Sequence, residues 1–141
     1  MGRIADGRGF AFEPRSVVAQ PRAFGKAASL LTPADGVDPS DPRFRAANLQ
    51  HVLVRAVSDE LVMRDLGTAA DFQKDDRPPG LSPDRVRRVF RGETAAQLAD
   101  IAYWATLFPE VGEAVAQHLS TWRGGGIASG DSDSPGAPGM R

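Results

Sequence analysis

From residue 49 onward, apolar side chains recur at spacings of three and four, the period of a half-buried helix rather than a strand. Asp41-Pro42 reads as a helix opening, because Asp caps free amides and Pro fits the first turn. Leu49, Val52, Leu53, Ala56, Val57 and Leu61 continue that helix, and Gly67 suits the left-handed residue that ends it. Thr68 then caps a predicted second helix from Ala69 to about Asp76, anchored by Phe72, and Arg77-Pro78-Pro79-Gly80 breaks it. Ser82-Pro83-Asp84 opens a third helix that Gly92 closes. A fourth is predicted from about Thr94 to Leu107, with Leu98, Ile101, Ala102 and Ala105 on one face, and Pro109 stops it. A fifth runs from about Glu110 to Trp122, aligning Val111, Val115, Leu119 and Trp122. No alternating strand interrupts these elements. The expected fold class is all-α: a compact bundle of about five helices.

Glycine and proline punctuate residues 1–41, where Arg22–Leu31 is the longest candidate helix. This arm is expected to be mobile or loosely packed. Residues 124–141, rich in Gly, Ser and Pro, hold too few apolar groups to offset their ordering entropy and are expected to be disordered. The helical domain is then 42–123. Charge is balanced over the chain, 17 basic against 18 acidic residues, and again over 42–123, 11 against 11. Any basic surface must therefore arise by clustering. There is no cysteine and there are two histidines, so thiolate chemistry is excluded, and neither a metal site nor another cofactor is expected. No apolar run reaches the roughly 18–20 residues of a membrane span. The first residues hold no apolar signal-peptide core, so a cytoplasmic setting is expected.

Clustering occurs in the third helix, Arg85-Val-Arg-Arg-Val-Phe-Arg91. At about 100° per residue with Val86 at zero, Val89 falls at about 300° and Phe90 at about 40°. Arg87, Arg91, Arg88 and Arg85 fan over about 100°, 140°, 200° and 260°. A guanidinium fork fits phosphate oxygens and the guanine major-groove edge. A solvated arginine face is the competing reading, since arginine outnumbers lysine 15 to 2 in this chain.

The run Gly80-Leu81-Ser82-Pro83-Asp84-Arg85-Val86-Arg87-Arg88-Val89-Phe90-Arg91-Gly92-Glu93, followed by Thr94, Leu98, Ala99, Ile101 and Ala102, resembles the second half of a lambda-repressor-like helix-turn-helix domain. The resemblance covers about residues 68–111. It implies that helix 83–91 enters the major groove of double-stranded DNA. Ser82, Asp84 and Arg85 would then lie nearest base edges, with Arg88 one turn deeper and Arg87 and Arg91 on flanking phosphates. Thr68 would donate to phosphate, and Lys74 and Arg77 are weaker phosphate candidates. The function implied is transcriptional regulation, by repression through occupancy of an operator, rather than catalysis.

No catalytic constellation stands out. Asp59-Glu60 and Asp75-Asp76 are neighbours about 100° apart on a helix, so neither spacing makes a dyad. His51 reads as a helix histidine without partners for base catalysis, and His118 as a neighbour of a helix C-terminus. The helices at 94–107 and 110–122 supply either a monomer core or a homodimer seam. A helical protein-interaction module, antitoxin-like or adaptor-like, is the alternative to a DNA-binding regulator.

Overall fold

The computed structural model describes residues 12–125, which form four α-helices and two short 3-10 turns. Within that range the only extended pairing is a single antiparallel bridge, Val18 to Pro33. No described helix is long and apolar enough to cross a membrane.

Helix α1, Pro42–Met63, is the central element. Its opening is the expected one: the Asp41 carboxylate accepts from the Arg43 amide at 2.8 Å and Pro42 occupies the first turn. Unlike a surface helix with one apolar stripe, α1 is buried on two sides. Leu53, Val57 and Leu61 face one core, and Phe44, Ala47 and Val54 face another.

The first core is closed by α2 (Pro83–Phe90), α3 (Leu98–Leu107) and α4 (Pro109–Gly125). Trp104 is its centre at 1% exposure. It stacks on Phe72 at 6.1 Å and meets Phe90 edge-on at 5.7 Å. The α3 face expected from Leu98, Ile101, Ala102 and Ala105 is buried only in part: Ile101 packs against the core, but Leu98 is 84% exposed and Ala102 is exposed, while Asp100 and Trp104 are buried. Trp104 is the largest side chain of the helix and packs among Phe72, Phe90 and Phe108, which fixes the rotation of α3. Helix α4 buries Val111 and Val115 against this core, while Leu119, further along the same stripe, is 41% exposed.

Two predicted features are corrected. The expected helix Ala69–Asp76 is a series of turns, so four helices stand where five were expected. Thr68 does cap a first turn, with the Phe72 amide bonded to the Thr68 carbonyl at 2.9 Å. The helix stops at Gln73, whose φ is +52°. The Arg77 guanidinium then satisfies the carbonyls of Phe72 (2.9 Å), Leu81 (3.4 Å) and Ala70, in place of a helical ladder. The arm is also different from expectation over residues 12–41, where Val18, Phe24 and Leu31 are 3–4% exposed in the second core. The Arg22–Leu31 helix is replaced by a 3-10 turn at Pro21–Ala23 and a left-handed Gly25. Buried polar side chains of α1 hold this segment. Asn48 bonds both backbone groups of Leu31 at 2.9 Å, and His51 accepts from the Gly25 amide at 2.8 Å. Residues 1–11, and 126–141 of the expected tail, lie outside the described residues.

Candidate nucleic-acid interface

Helix α2 is built by the local rules its sequence announces. Ser82 Oγ accepts from the Arg85 amide at 3.1 Å, Pro83 fills the first turn, and Asp84 sits in that turn. Val86 and Val89 are each 2% exposed and pin the helix to the core. Gly92, with φ +76°, ends it against the Phe24 ring. The helix spans eight residues, so it is about 12 Å long at 1.5 Å per residue.

Gln50 on α1 holds the far end of α2. Its amide donates to the carbonyls of Val89 (2.7 Å) and Thr94 (3.0 Å), and its oxygen accepts from the Ala96 amide at 2.7 Å. Because Gln50 occupies these backbone groups, residues 94–97 stay irregular and α3 begins at Leu98, not at Thr94.

The three arginines of α2 and Arg91, which follows it, do not share one fate. Arg85 is the correction. Its guanidinium binds the Asp100 carboxylate, the two side chains being 19% and 6% exposed. Asp100 also accepts from the Gln97 amide at 2.7 Å, closing the first turn of α3. Arg85 therefore staples α2 to α3 and is not presented for base contact. At about 260° it lies only about 40° from Val89, on the border of the buried arc. Its partner lies 15 residues away, beyond the reach of neighbour counting.

Arg87, Arg88 and Arg91 are exposed. Arg88 pairs with Asp84 at 3.3 Å, with both side chains more than half exposed, and Arg91 lies 4.0 Å from Glu93. Solvated pairs of this kind are worth about 0–1 kcal/mol, so a phosphate or a base edge competes with them readily. Arg87 has no carboxylate within 4.0 Å among the described residues. Ser82, Asp84 and Thr68 are exposed too. Thr68 Oγ1 lies 3.1 Å from Asp71, and Thr68 shares a groove wall with Arg87 and Arg91. Lys74 is exposed, whereas Arg77 is turned inward onto carbonyls and is no longer a phosphate candidate.

Neither histidine forms a catalytic group with an acid. Burial pushes both below their ordinary value. His51 Nδ1 is occupied by the Gly25 amide, and Nε2 lies 3.0 Å from the Ser29 carbonyl. His118 Nε2 is buried with no hydrogen-bond partner among the described residues. No group of three His, Asp or Glu residues there is placed to hold a metal ion.

The arm brings further cations to the same side of the molecule. Arg15, Arg22 and Lys26 come together with Arg91 around a basin of about 510 Å³ beside the end of α2. Their only sequence signal is a scatter of basic residues among acidic ones. Comparison of the chain with family models, with curated proteins and with solved structures finds no match.

Proposed function

We propose that this chain is a sequence-specific regulator that binds double-stranded DNA through the outer face of α2. The observation that carries the reading is the division of that helix. Val86 and Val89 anchor one side, and Arg87, Arg88 and Arg91 stand in solvent on the other. An α-helix is about 10–12 Å across with its side chains, which a major groove about 12 Å wide admits. Arg88 takes the base-reading position, supported by Ser82 and Asp84 at the helix start, while Arg87, Arg91 and Thr68 face phosphates. Occupancy of an operator blocks polymerase.

Selection from random duplex oligonucleotides with the purified chain tests this. A recurrent enriched site is the expected result, and a palindromic one reports a pair of chains on two half-sites. Arg88→Ala removes preference for that site while circular dichroism is unchanged. Arg87→Ala and Arg91→Ala each weaken all sequences alike and lower the salt slope by about 0.9. Binding unaltered by all three substitutions overturns the proposal.

The second reading, a helical protein-interaction module, is favoured by Val62 and Met63 at the end of α1, which are 80% and 77% exposed. Neighbouring exposed apolar side chains of this size commonly mark a partner surface. Stoichiometric co-purification of a protein, with no duplex binding at low salt, would select it.

A further inference from the structure

Between α1, α2 and the turn at residues 24–26 runs a groove of about 420 Å³, within the size range of small-ligand sites. Its floor is apolar: Val54 and Leu61 from α1, Val86 and Phe90 from α2, and Phe24. Lys26, Arg87 and Arg91 stand along it. At the Phe24, Lys26, Phe90 and Arg91 end it opens into the basin that Arg15 and Arg22 also line. No carboxylate lines either depression, in a chain whose charges otherwise balance. The acids near the cations are Glu13 and Glu93. They pair with Arg15, and Glu93 also reaches Arg91 at 4.0 Å. Lys26, Arg22 and Arg87 have no carboxylate within 4.0 Å among the described residues.

The groove is also pre-built. His51 holds the Gly25 amide at 2.8 Å, and Arg55 holds the Lys26 carbonyl at 2.9 Å. Gly25 sits so close to α1 that a Cβ there would lie 2.5 Å from Val54. A cleft with an apolar trough at one end and a lining of cations without carboxylates at the other favours a ligand divided in the same way. Its apolar part leaves water, and its anion meets the Lys26 ammonium, which has no carboxylate within 4.0 Å among the described residues, and the exposed Arg91 guanidinium, held by Glu93 only at 4.0 Å.

We propose that this groove binds a small amphiphilic anion, an aliphatic or aromatic body carrying one carboxylate. The apolar body lies on Val54, Leu61, Val86 and Phe90, and the carboxylate lies between Lys26 and Arg91. Binding of the anion stands on the groove alone. Its regulatory consequence rests on the DNA reading above: an anion on Arg91 beside Arg87 takes cations that phosphates would use, so ligand and duplex exclude each other.

Calorimetric titration of the full chain with decanoate, and with decanol as the uncharged control, tests the site. Decanoate is expected to bind with a dissociation constant of about 10–100 μM and decanol at least about tenfold more weakly. Lys26→Gln with Arg91→Gln brings decanoate down to the level of decanol. Ser58→Phe, which fills the groove from α1, removes binding of both while circular dichroism and duplex affinity are kept. The proposal is overturned by no decanoate binding up to about 1 mM, by equal affinity for decanol, or by indifference to Ser58→Phe. A peptide helix with alternating acidic and apolar faces that binds more tightly than decanoate, and is lost in Ser58→Phe, also overturns it, making the groove a protein-docking surface. Decanoate binding without any duplex binding leaves the ligand site standing and removes the DNA reading. Duplex binding without decanoate binding does the reverse.

Discussion

The Arg85 guanidinium and the Asp100 carboxylate bind each other at the meeting point of the first turns of α2 and α3, in side chains 19% and 6% exposed. An arginine that by helical position belongs to the basic fan is thereby a structural staple. Arg85→Ala strands a carboxylate away from water, and the expected loss is about 3 kcal/mol in urea unfolding. Arg85→Ala with Asp100→Asn recovers part of that loss, because the amide still accepts from Gln97 but carries no unpaired charge. Equal stability of the single and double variants would show that the unpaired charge is not what destabilises Arg85→Ala. Impaired DNA binding in Arg85→Ala therefore reports on folding, and Arg88→Ala is the informative substitution for readout.

Stability depends on pH through the two histidines. Burial holds His51 and His118 below their ordinary value of 6.5, so between the lowered folded value and 6.5 the unfolded chain binds more protons. Stability is thus complete above pH 6.5 and falls as pH drops through the folded values. Protonation of His51 at Nδ1 also removes the acceptor for the Gly25 amide and loosens residues 24–26. Urea midpoints taken across this range fall toward acid in the wild type, and the slope is smaller in His51→Gln. A flat profile in the wild type contradicts the assignment.

Gly92 and Gly36 both have positive φ, +76° and +80°, yet their surroundings differ. A Cβ at Gly92 lies 2.9 Å from the Phe24 ring, whereas one at Gly36 meets nothing within 4 Å. Gly36→Ala costs backbone strain alone, about 1 kcal/mol. Gly92→Ala adds the displacement of a buried ring and costs about 2–3 kcal/mol. Thermal melting of the two variants side by side measures the difference.

Arg77 supports the turns after Thr68 by donating to the carbonyls of Phe72, Leu81 and Ala70. Arg77→Ala leaves several of these without a donor and is expected to cost about 2 kcal/mol. Hydrogen exchange of the Phe72 amide, which bonds Thr68, should quicken. Because the guanidinium is turned inward, the proposed duplex binding is expected to keep its salt dependence in this variant. A reduced slope would place Arg77 on phosphate after all.

What could be read along the chain alone is what local chemistry decides. Asp41-Pro42 and Ser82-Pro83 open helices because a side-chain oxygen and a missing N–H act within two or three residues, and both caps form as expected. Val86 and Val89 are buried because helical period places them together. Partners distant in sequence were decided by packing. Trp104 turns α3 so that Asp100 meets Arg85, Gln73 with positive φ and Arg77 replace a helix by turns, and Asn48 and His51 draw residues 12–41 onto α1. Trp104, Asp100, Asn48 and His51 are buried polar or aromatic groups whose free energy depends on what surrounds them in space, which only the assembled tertiary structure supplies.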